Sequence, residues 1–292
     1  MLVLSIDYNN LAMRNLFTKN IDLNTESPDF PLWRYVVFNK IYKLLYKFPN
    51  VDEVVIAVDD KNSWRKSYFP RYKESRKKQR KKTDVDWGII YDVMDGFMKD
   101  LKHYMPFKVL KIKNSEADDI IGIICKHINA DHIVYSNDED FSQLISNRVK
   151  VWKPKEGYRK KISIENFIVK KCLTGQPKDD IFNIKTPNDW GLTEETQGKR
   201  KPGFGVKSAE KVMAGDYKKW LEDNDLCDNF HRNRVLMDFD YIPDTIKKRI
   251  LQGYDNASFP PPKNMYEFFK KHNMRGFLDE FSKVENKLLK LY

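Results

Sequence analysis

The sequence predicts an α/β protein: a mainly parallel central sheet flanked by helices, followed by a smaller helical domain. Three observations carry that expectation. Short apolar runs rich in β-branched residues recur in the N-terminal half, at Met1–Ile6, Val54–Val58, Phe107–Ile112 and Ile133–Tyr135, and they are too short for helices. Each run delivers carboxylates just past its end: Asp7, then Asp59 and Asp60, then Glu116-Ala117-Asp118-Asp119, then Asp138-Glu139-Asp140. In an open parallel sheet, ligands and chemistry gather outside the carboxyl ends of strands. From Glu165 onward strands nearly vanish, so the domains are expected at 1–180 and 181–292.

In chain order, Asp7 leads into a polar turn and Asn24–Phe30 reads as a loop. Pro31–Phe48 carries Leu32, Tyr35, Val36, Ile41, Leu44 and Leu45 at helical spacing and is expected to pack on the sheet. Thr83–Met105 reads as a long helix with Thr83 as N-cap and acidic Asp84 and Asp86 in its first turn. Ser115 is expected to cap a helix with Ala117, Ile120, Ile121, Ile124 and Ile128 on its apolar face. Val149–Trp152 and Lys161–Ile164 read as short strands, a terminal pair. Pro187–Pro202 is a long loop; Tyr241–Asp244 and Asp255–Asn264 are connectors; Phe277–Tyr292 is a basic amphipathic helix.

The 292 residues suffice for a substantial core, and 41% hydrophobic with 13% aromatic content excludes a disordered chain. Lys and Arg number 53 against 42 Asp and Glu, a net charge of +11 that favours a polyanionic partner, nucleic acid before anionic membrane. No run of 18 apolar residues is present, so a membrane span is not expected. A first strand starting at Met1 leaves no room for a signal peptide. The three cysteines are isolated and the five histidines scattered, which predicts reduced thiols in a cytoplasmic protein and argues against zinc.

A single acid is ordinarily a solvated loop residue, but four strand ends bringing acids to one edge is another matter. Gathered carboxylates repel unless a cation neutralises them. Oxygen ligands without His or Cys select a hard ion, Mg²⁺ or Mn²⁺. Two such ions are a known means of phosphodiester cleavage. On a helical wheel Glu116 and Asp119 share a face and Asp118 points nearly opposite, yet all three open the helix, where the backbone need not be regular, and all three stay candidates.

Lys61–Lys82 contains eleven Lys or Arg residues with Trp64, Tyr68, Phe69 and Tyr72 among them. A solvating charge run has no need of rings, whereas basic residues neutralise phosphates and rings stack on unpaired bases. Gly203-Phe204-Gly205-Val206-Lys207-Ser208-Ala209 is a GxGxK turn entering a helix, which lets backbone N–H groups approach a phosphate while Lys207 adds charge.

Taken in order, strand–Asp7, strand–Asp59, the basic FPRYKESR, EADD at 116–119, SNDEDF at 136–141, Gly175 to Asp179 and GFGVKSA resemble the flap endonuclease/5′-nuclease family over nearly the whole chain. Trp64-Arg65-Lys66, Tyr104-Met105-Pro106, Phe141–Leu144 and Asp238–Asp244 bring it nearest to the branch of T-even bacteriophage ribonucleases H. The resemblance implies a PIN/FEN-like α/β domain whose metal site lies under a basic helical arch at about 60–85, and a helical domain whose helix–two-turn–helix grips duplex DNA. It implies removal of RNA primers and 5′ flaps in the 5′→3′ direction. Carried over, a first ion would be held by Asp7, Asp59, Glu116, Asp118 or Asp119, Asp138 and Asp140, and a second by Asp138, Asp140 and Asp179. Lys73 and Arg76 match the catalytic basic pair on the scissile phosphate. Arg65, Lys66, Arg71, Tyr72, Lys77, Lys78, Gly203, Gly205, Lys207 and Ser208 would contact DNA.

One position departs from the family pattern G-D-x-x-D-N. Gln176 stands where an acid of the second metal site is usual, although Asp180 adds an acid nearby. A looser second ion and a raised Mg²⁺ requirement are expected. The implied partners are duplex or flap DNA and RNA–DNA hybrid, with a single-stranded DNA-binding protein and a sliding clamp as protein partners. A cytoplasmic monomer without a polymerase region, in the host cell's cytoplasm if the chain is phage-encoded, completes the expectation. Two rivals stand beside it: a PIN-like ribonuclease, and a structure-specific DNA-binding protein with a degenerate metal site.

Overall fold

The computed structural model describes residues 1–17, 30–83 and 85–292. Along it run β1 (Leu2–Asp7), α1 (Tyr8–Leu16), α2 (Phe30–Lys47), β2 (Glu53–Val58), α3 (Trp64–Tyr68), α4 (Glu74–Arg80) and α5 (Trp87–Tyr104). Next come β3 (Lys108–Lys111), α6 (Ala117–His127), β4 (Asp131–Tyr135), β5 (Val149–Lys153), β6 (Gly157–Tyr158) and α7 (Ile164–Thr174). The remainder is helical: α8 (Val206–Met213), α9 (Tyr217–Asp223), α10 (Cys227–Met237), α11 (Asp244–Asp255), α12 (Asn264–Lys271), α13 (Arg275–Asp279) and α14 (Phe281–Leu288).

The sheet order is β3-β2-β1-β4-β5-β6, parallel except for the β5–β6 pair. After β1 the chain steps outward through β2 and β3, then returns to place β4 on the other side of β1. The order therefore reverses between β1 and β4, and such a reversal opens a crevice beyond the strands' carboxyl ends. Register puts Asp7 beside Ala57 of β2 and Ile6 beside Tyr135 of β4, so the acids that follow these strands leave from one edge. The strands read as unbroken apolar runs because both faces are covered. Val3, Leu4, Ile6 and Val54–Ala57 are wholly buried, with α6 packed on β1 and β2.

Two compact units share the chain: 1–62 with 83–160 and 244–292, and 63–82 with 161–243. This differs from the division expected near residue 180. The C-terminal segment returns to the first unit because its apolar residues complete that core. Met265, Phe268 and Phe269 are fully buried there, and the Phe38 ring lies 5.1–5.2 Å from the rings of Phe268, Phe269 and Phe277. The basic stretch belongs to the second unit for the same reason, since Phe69 and Tyr72 pack in a core with Val169, Leu173, Phe182 and Leu236.

Several local expectations are corrected. Asp7 opens α1 directly, with no intervening turn, because its Oδ1 accepts the Asn10 N–H (3.0 Å) as an N-cap. Asp86, rather than Thr83, caps α5 by accepting from Gly88 and Ile89, while the Thr83 hydroxyl accepts from the Trp87 indole. Lys161–Ile164 is not a strand: the Ser163 hydroxyl accepts from Asn166 N–H and starts α7, and β6 is instead Gly157–Tyr158. The expected C-terminal helix is broken at Glu280 between α13 and α14. The Asn24–Phe30 loop lies outside the described residues apart from Phe30, which opens α2, and so does Asp84.

Candidate functional site

In the first unit, hydrogen bonds stitch the strand ends together. The Asp59 N–H donates to Asn9 Oδ1 (3.0 Å), tying β2 to α1. Asp60 N–H donates to the Ser115 carbonyl (2.9 Å), Asn114 N–H to Asp60 Oδ2 (2.9 Å) and Ala117 N–H to Asp59 Oδ1 (2.8 Å). These bonds hold the start of α6 against the end of β2. The helix begins with a capping box, in which Glu116 N–H donates to Asp119 Oδ2 (2.9 Å). Ser115, expected to cap, instead donates its hydroxyl to Ile112 O (2.9 Å). Glu116 and Asp119 are buried and Asp118 is half-buried, which agrees with the helical-wheel separation.

Beyond β4, Ser136 joins two of the acids. Its hydroxyl donates to Asp7 Oδ2 (3.2 Å) and accepts from the Asp138 N–H (3.1 Å), while Asp140 N–H donates to Asp138 Oδ1 (2.9 Å). Arg159 clamps this turn by donating to the Asn137 carbonyl (3.0 Å) and the Ser142 hydroxyl (3.3 Å). Sequence reasoning did not single out Asn9, Ser136 or Arg159. Ser136 sits inside SNDEDF and Asn9 two residues after Asp7, so proximity to the acids was their available signal; Arg159 had none.

Burial, followed by the negative charges of Asp59 and Asp138, pushes the Asp7 carboxyl up to about 7 from an ordinary 3.8. Bonds from Asn10 and Ser136 pull the other way and do not win. Asp7 thus lies within the field of both other acids. Even so, among the described residues no three carboxylate, imidazole or thiol groups converge closely enough to cage a metal ion. The donor set of Asp7, Asp59, Glu116, Asp119, Asp138 and Asp140 is all oxygen, which fits a hard divalent cation, and added positive charge would relieve the pressure on Asp7.

In the second unit, Gly175 has φ +69°, and a side chain there would meet the Ile181 carbonyl and Phe182 backbone at 2.5 Å, so only glycine fits. Gln176 and Ile181 then exchange two backbone bonds (2.9 and 3.2 Å), closing a tight loop around Asp179. Asp179 is buried and ion-paired with Arg76. Lys73 occupies the left-handed region (φ +56°), a strain of about 1 kcal/mol for a residue with a Cβ. Its ammonium lies 4.8 Å from the Tyr72 ring centre.

The predicted nucleic-acid contacts divide. Lys66, Lys78, Gly203, Gly205, Lys207 and Ser208 are exposed. Nothing lies within 4 Å of where a side chain would project from either glycine, which leaves this backbone open at the start of α8. Arg71 is half-buried, donating to the Trp190 carbonyl. Arg65 and Tyr72 are corrected: Arg65 is buried, with Nε donating to Leu236 O (2.8 Å), and Tyr72 is core, as is Phe69. The aromatics of the basic stretch therefore serve packing as much as surface. The side chain of Lys77 lies outside the described residues.

Comparison with known proteins adds the following. The profile of the family described as 5′–3′ exonuclease, N-terminal resolvase-like domain, matches residues 2–172, and that described as T4 RNase H, C terminal, matches 162–284. The chain is 29% identical to ribonuclease H of Enterobacteria phage T4 over 278 residues, 91% of this chain and 90% of that protein. It is 31% identical to flap endonuclease Xni of Shewanella pealeana over 184 residues, 58% of this chain and 60% of that one. Among solved structures, a bacteriophage T5 flap endonuclease in complex with DNA and metal ions shares the fold (TM-score 0.62, 18% identity), covering 88% of this chain and 100% of that one.

Proposed function

The chain belongs to the 5′–3′ exonuclease family and is a nuclease, and we propose that it is a divalent-cation-dependent 5′-nuclease that removes RNA primers and 5′ flaps from duplex DNA during replication. The observation that carries this reading is the electrostatic coupling of Asp7, Asp59 and Asp138 at the point where the sheet order reverses. The T5 flap endonuclease crystallised with DNA and metal ions lends further support.

Asp7, Asp59, Glu116, Asp118 or Asp119, Asp138 and Asp140 would hold Mg²⁺, for which Mn²⁺ can substitute. Such ions supply an activated water and offset charge on the leaving oxygen. Everything else falls to the chain. Ser136 keeps Asp7 oriented through its hydroxyl, and Arg159 fixes the turn that carries Asp138 and Asp140. Arg76 can grip a phosphate with two N–H groups and Lys73 adds a point charge, cations of the kind that stabilise developing negative charge. The exposed turn at Gly203–Ser208 presents backbone N–H groups and Lys207 to the duplex backbone, which positions DNA without reading its sequence. The proposed protein partners are a single-stranded DNA-binding protein and a sliding clamp, and the proposed location is the cytoplasm.

One observation favours a second reading, a DNA-binding protein with a degenerate metal site: Gln176 stands in place of an acid. A labelled 5′-flap duplex incubated with the protein and Mg²⁺ separates the two. Cleavage near the junction is expected; tight retention without cleavage would overturn the proposal.

A further inference from the structure

The α4 helix carries Arg76. It has seven residues, and a helix that short is unstable unless something outside it fixes its first turn. The residue before it, Lys73, is left-handed and has no side-chain oxygen to offer the orphan N–H groups that follow. The acceptor comes from a distant stretch of the same unit: Ser75 N–H donates to Asp180 Oδ2 at 2.7 Å. The neighbouring bonds follow the same pattern. Lys73 N–H donates to the Asp179 carbonyl (2.9 Å), and Arg76 Nε to the Lys178 carbonyl (3.3 Å). Residues 178–180 therefore hold the backbone at Lys73 and Ser75 and the side chain of Arg76.

Asp180 is fitted to this task by its own backbone. Its φ of +57° is a left-handed conformation that Asp and Asn tolerate better than most residues, and its N–H donates to Pro177 O (3.2 Å). The Gln176–Ile181 bridge and the left-handed Gly175 make the loop beneath it rigid. A bond from a backbone N–H to a carboxylate is short and charge-assisted, stronger than the two carbonyl bonds beside it.

We propose that Asp180 is a positioning residue: by accepting the Ser75 N–H it fixes the backbone between Lys73 and Arg76 and so sets where their two cations point. This rests on the 5′-nuclease reading for its consequence in catalysis, while the structural part stands alone. The test compares the full-length wild type with Asp180→Gly, which accommodates the left-handed backbone but removes the acceptor, and Asp180→Asn, which keeps an acceptor oxygen and loses the charge.

Hydrogen exchange read by mass spectrometry over residues 71–80 is expected to accelerate about tenfold in Asp180→Gly and to stay near wild type in Asp180→Asn. Exchange in peptides from α10 of the second unit and β1 of the first should be unchanged in both, which excludes unfolding of either unit. Flap cleavage should fall about tenfold in kcat, with KM little changed, in the glycine variant, and recover in the asparagine variant. Unchanged exchange in Asp180→Gly would overturn the proposal. So would an asparagine variant as impaired in cleavage as the glycine one, since charge rather than bond acceptance would then be the function. If wild type cleaves nothing, the nuclease reading fails, and the exchange comparison still decides whether Asp180 fixes this backbone.

Discussion

The acidic edge of the first unit and the basic stretch of the second are built on opposite electrostatic plans. At the edge, like charges gather: Asp7 is buried within the field of Asp59 and Asp138, and its carboxyl is pushed up to about 7. In the basic stretch, cations are matched: Arg76 to Asp179, Arg71 and Lys78 to Glu74, Arg65 to a carbonyl of Leu236. Frustrated charge marks a place that gains from an ion arriving. Satisfied charge marks side chains already aimed before any partner arrives. On the proposed reading the first binds an ion and the second positions cations.

The sharpest way to break this contrast is to remove the frustration. An acid whose folded pKa is raised contributes stability that is fully present below its unfolded value of 3.8 and is lost as pH rises through about 7. In EDTA, wild type should therefore weaken by up to about 4 kcal/mol relative to Asp7→Asn between about pH 4 and pH 8. Denaturant unfolding at several pH values checks this, and parallel pH profiles for the two proteins would refute it. Next in size is the loss of an aimed cation. Arg76→Ala is expected to lower kcat about 100-fold while duplex affinity barely changes, because one charge among many contributes little to binding. Equal losses in the two measurements would make Arg76 an ordinary contact.

Smaller effects sharpen the picture. Gln176→Asp should lower the Mg²⁺ concentration needed for half-maximal cleavage severalfold, since a carboxylate attracts the ion more than an amide oxygen does. Wild type already saturated at micromolar Mg²⁺ would remove the reason for that change. Smallest is Lys207→Ala at the start of α8. It should weaken duplex binding by less than about 1 kcal/mol and reduce the slope of log affinity against log salt by about one. A salt titration followed by fluorescence anisotropy reads both.

The acidic edge was legible in the sequence because a strand's end is a position that pattern alone reveals, and parallel strands place such ends together. Asp7, Asp59, Glu116 and Asp138 all follow from that rule, and their all-oxygen chemistry is what the proposal of a hard divalent cation rests on. How these acids are held was not legible, since Asn9, Ser136 and Arg159 act through bonds made by folding. In the basic stretch the charge was plain and its division of labour was not. Arg65 and Tyr72 look like their neighbours in sequence, and only packing against residues far along the chain makes them interior. The return of residues 244–292 to the first unit was hidden for the same reason, as the apolar faces of α12 and α13 do not say which core they complete.

The strand-end carboxylates are proposed to bind a divalent cation used in cleavage. That binding is tested most directly by titrating Mn²⁺ into wild type and Asp138→Asn in a calorimeter, without nucleic acid, with both proteins assayed in parallel on a labelled flap duplex. Binding to wild type, at least about tenfold weaker in Asp138→Asn, with cleavage by wild type alone, is the predicted result. Equal affinity in the two proteins together with undiminished cleavage by the variant would contradict the account.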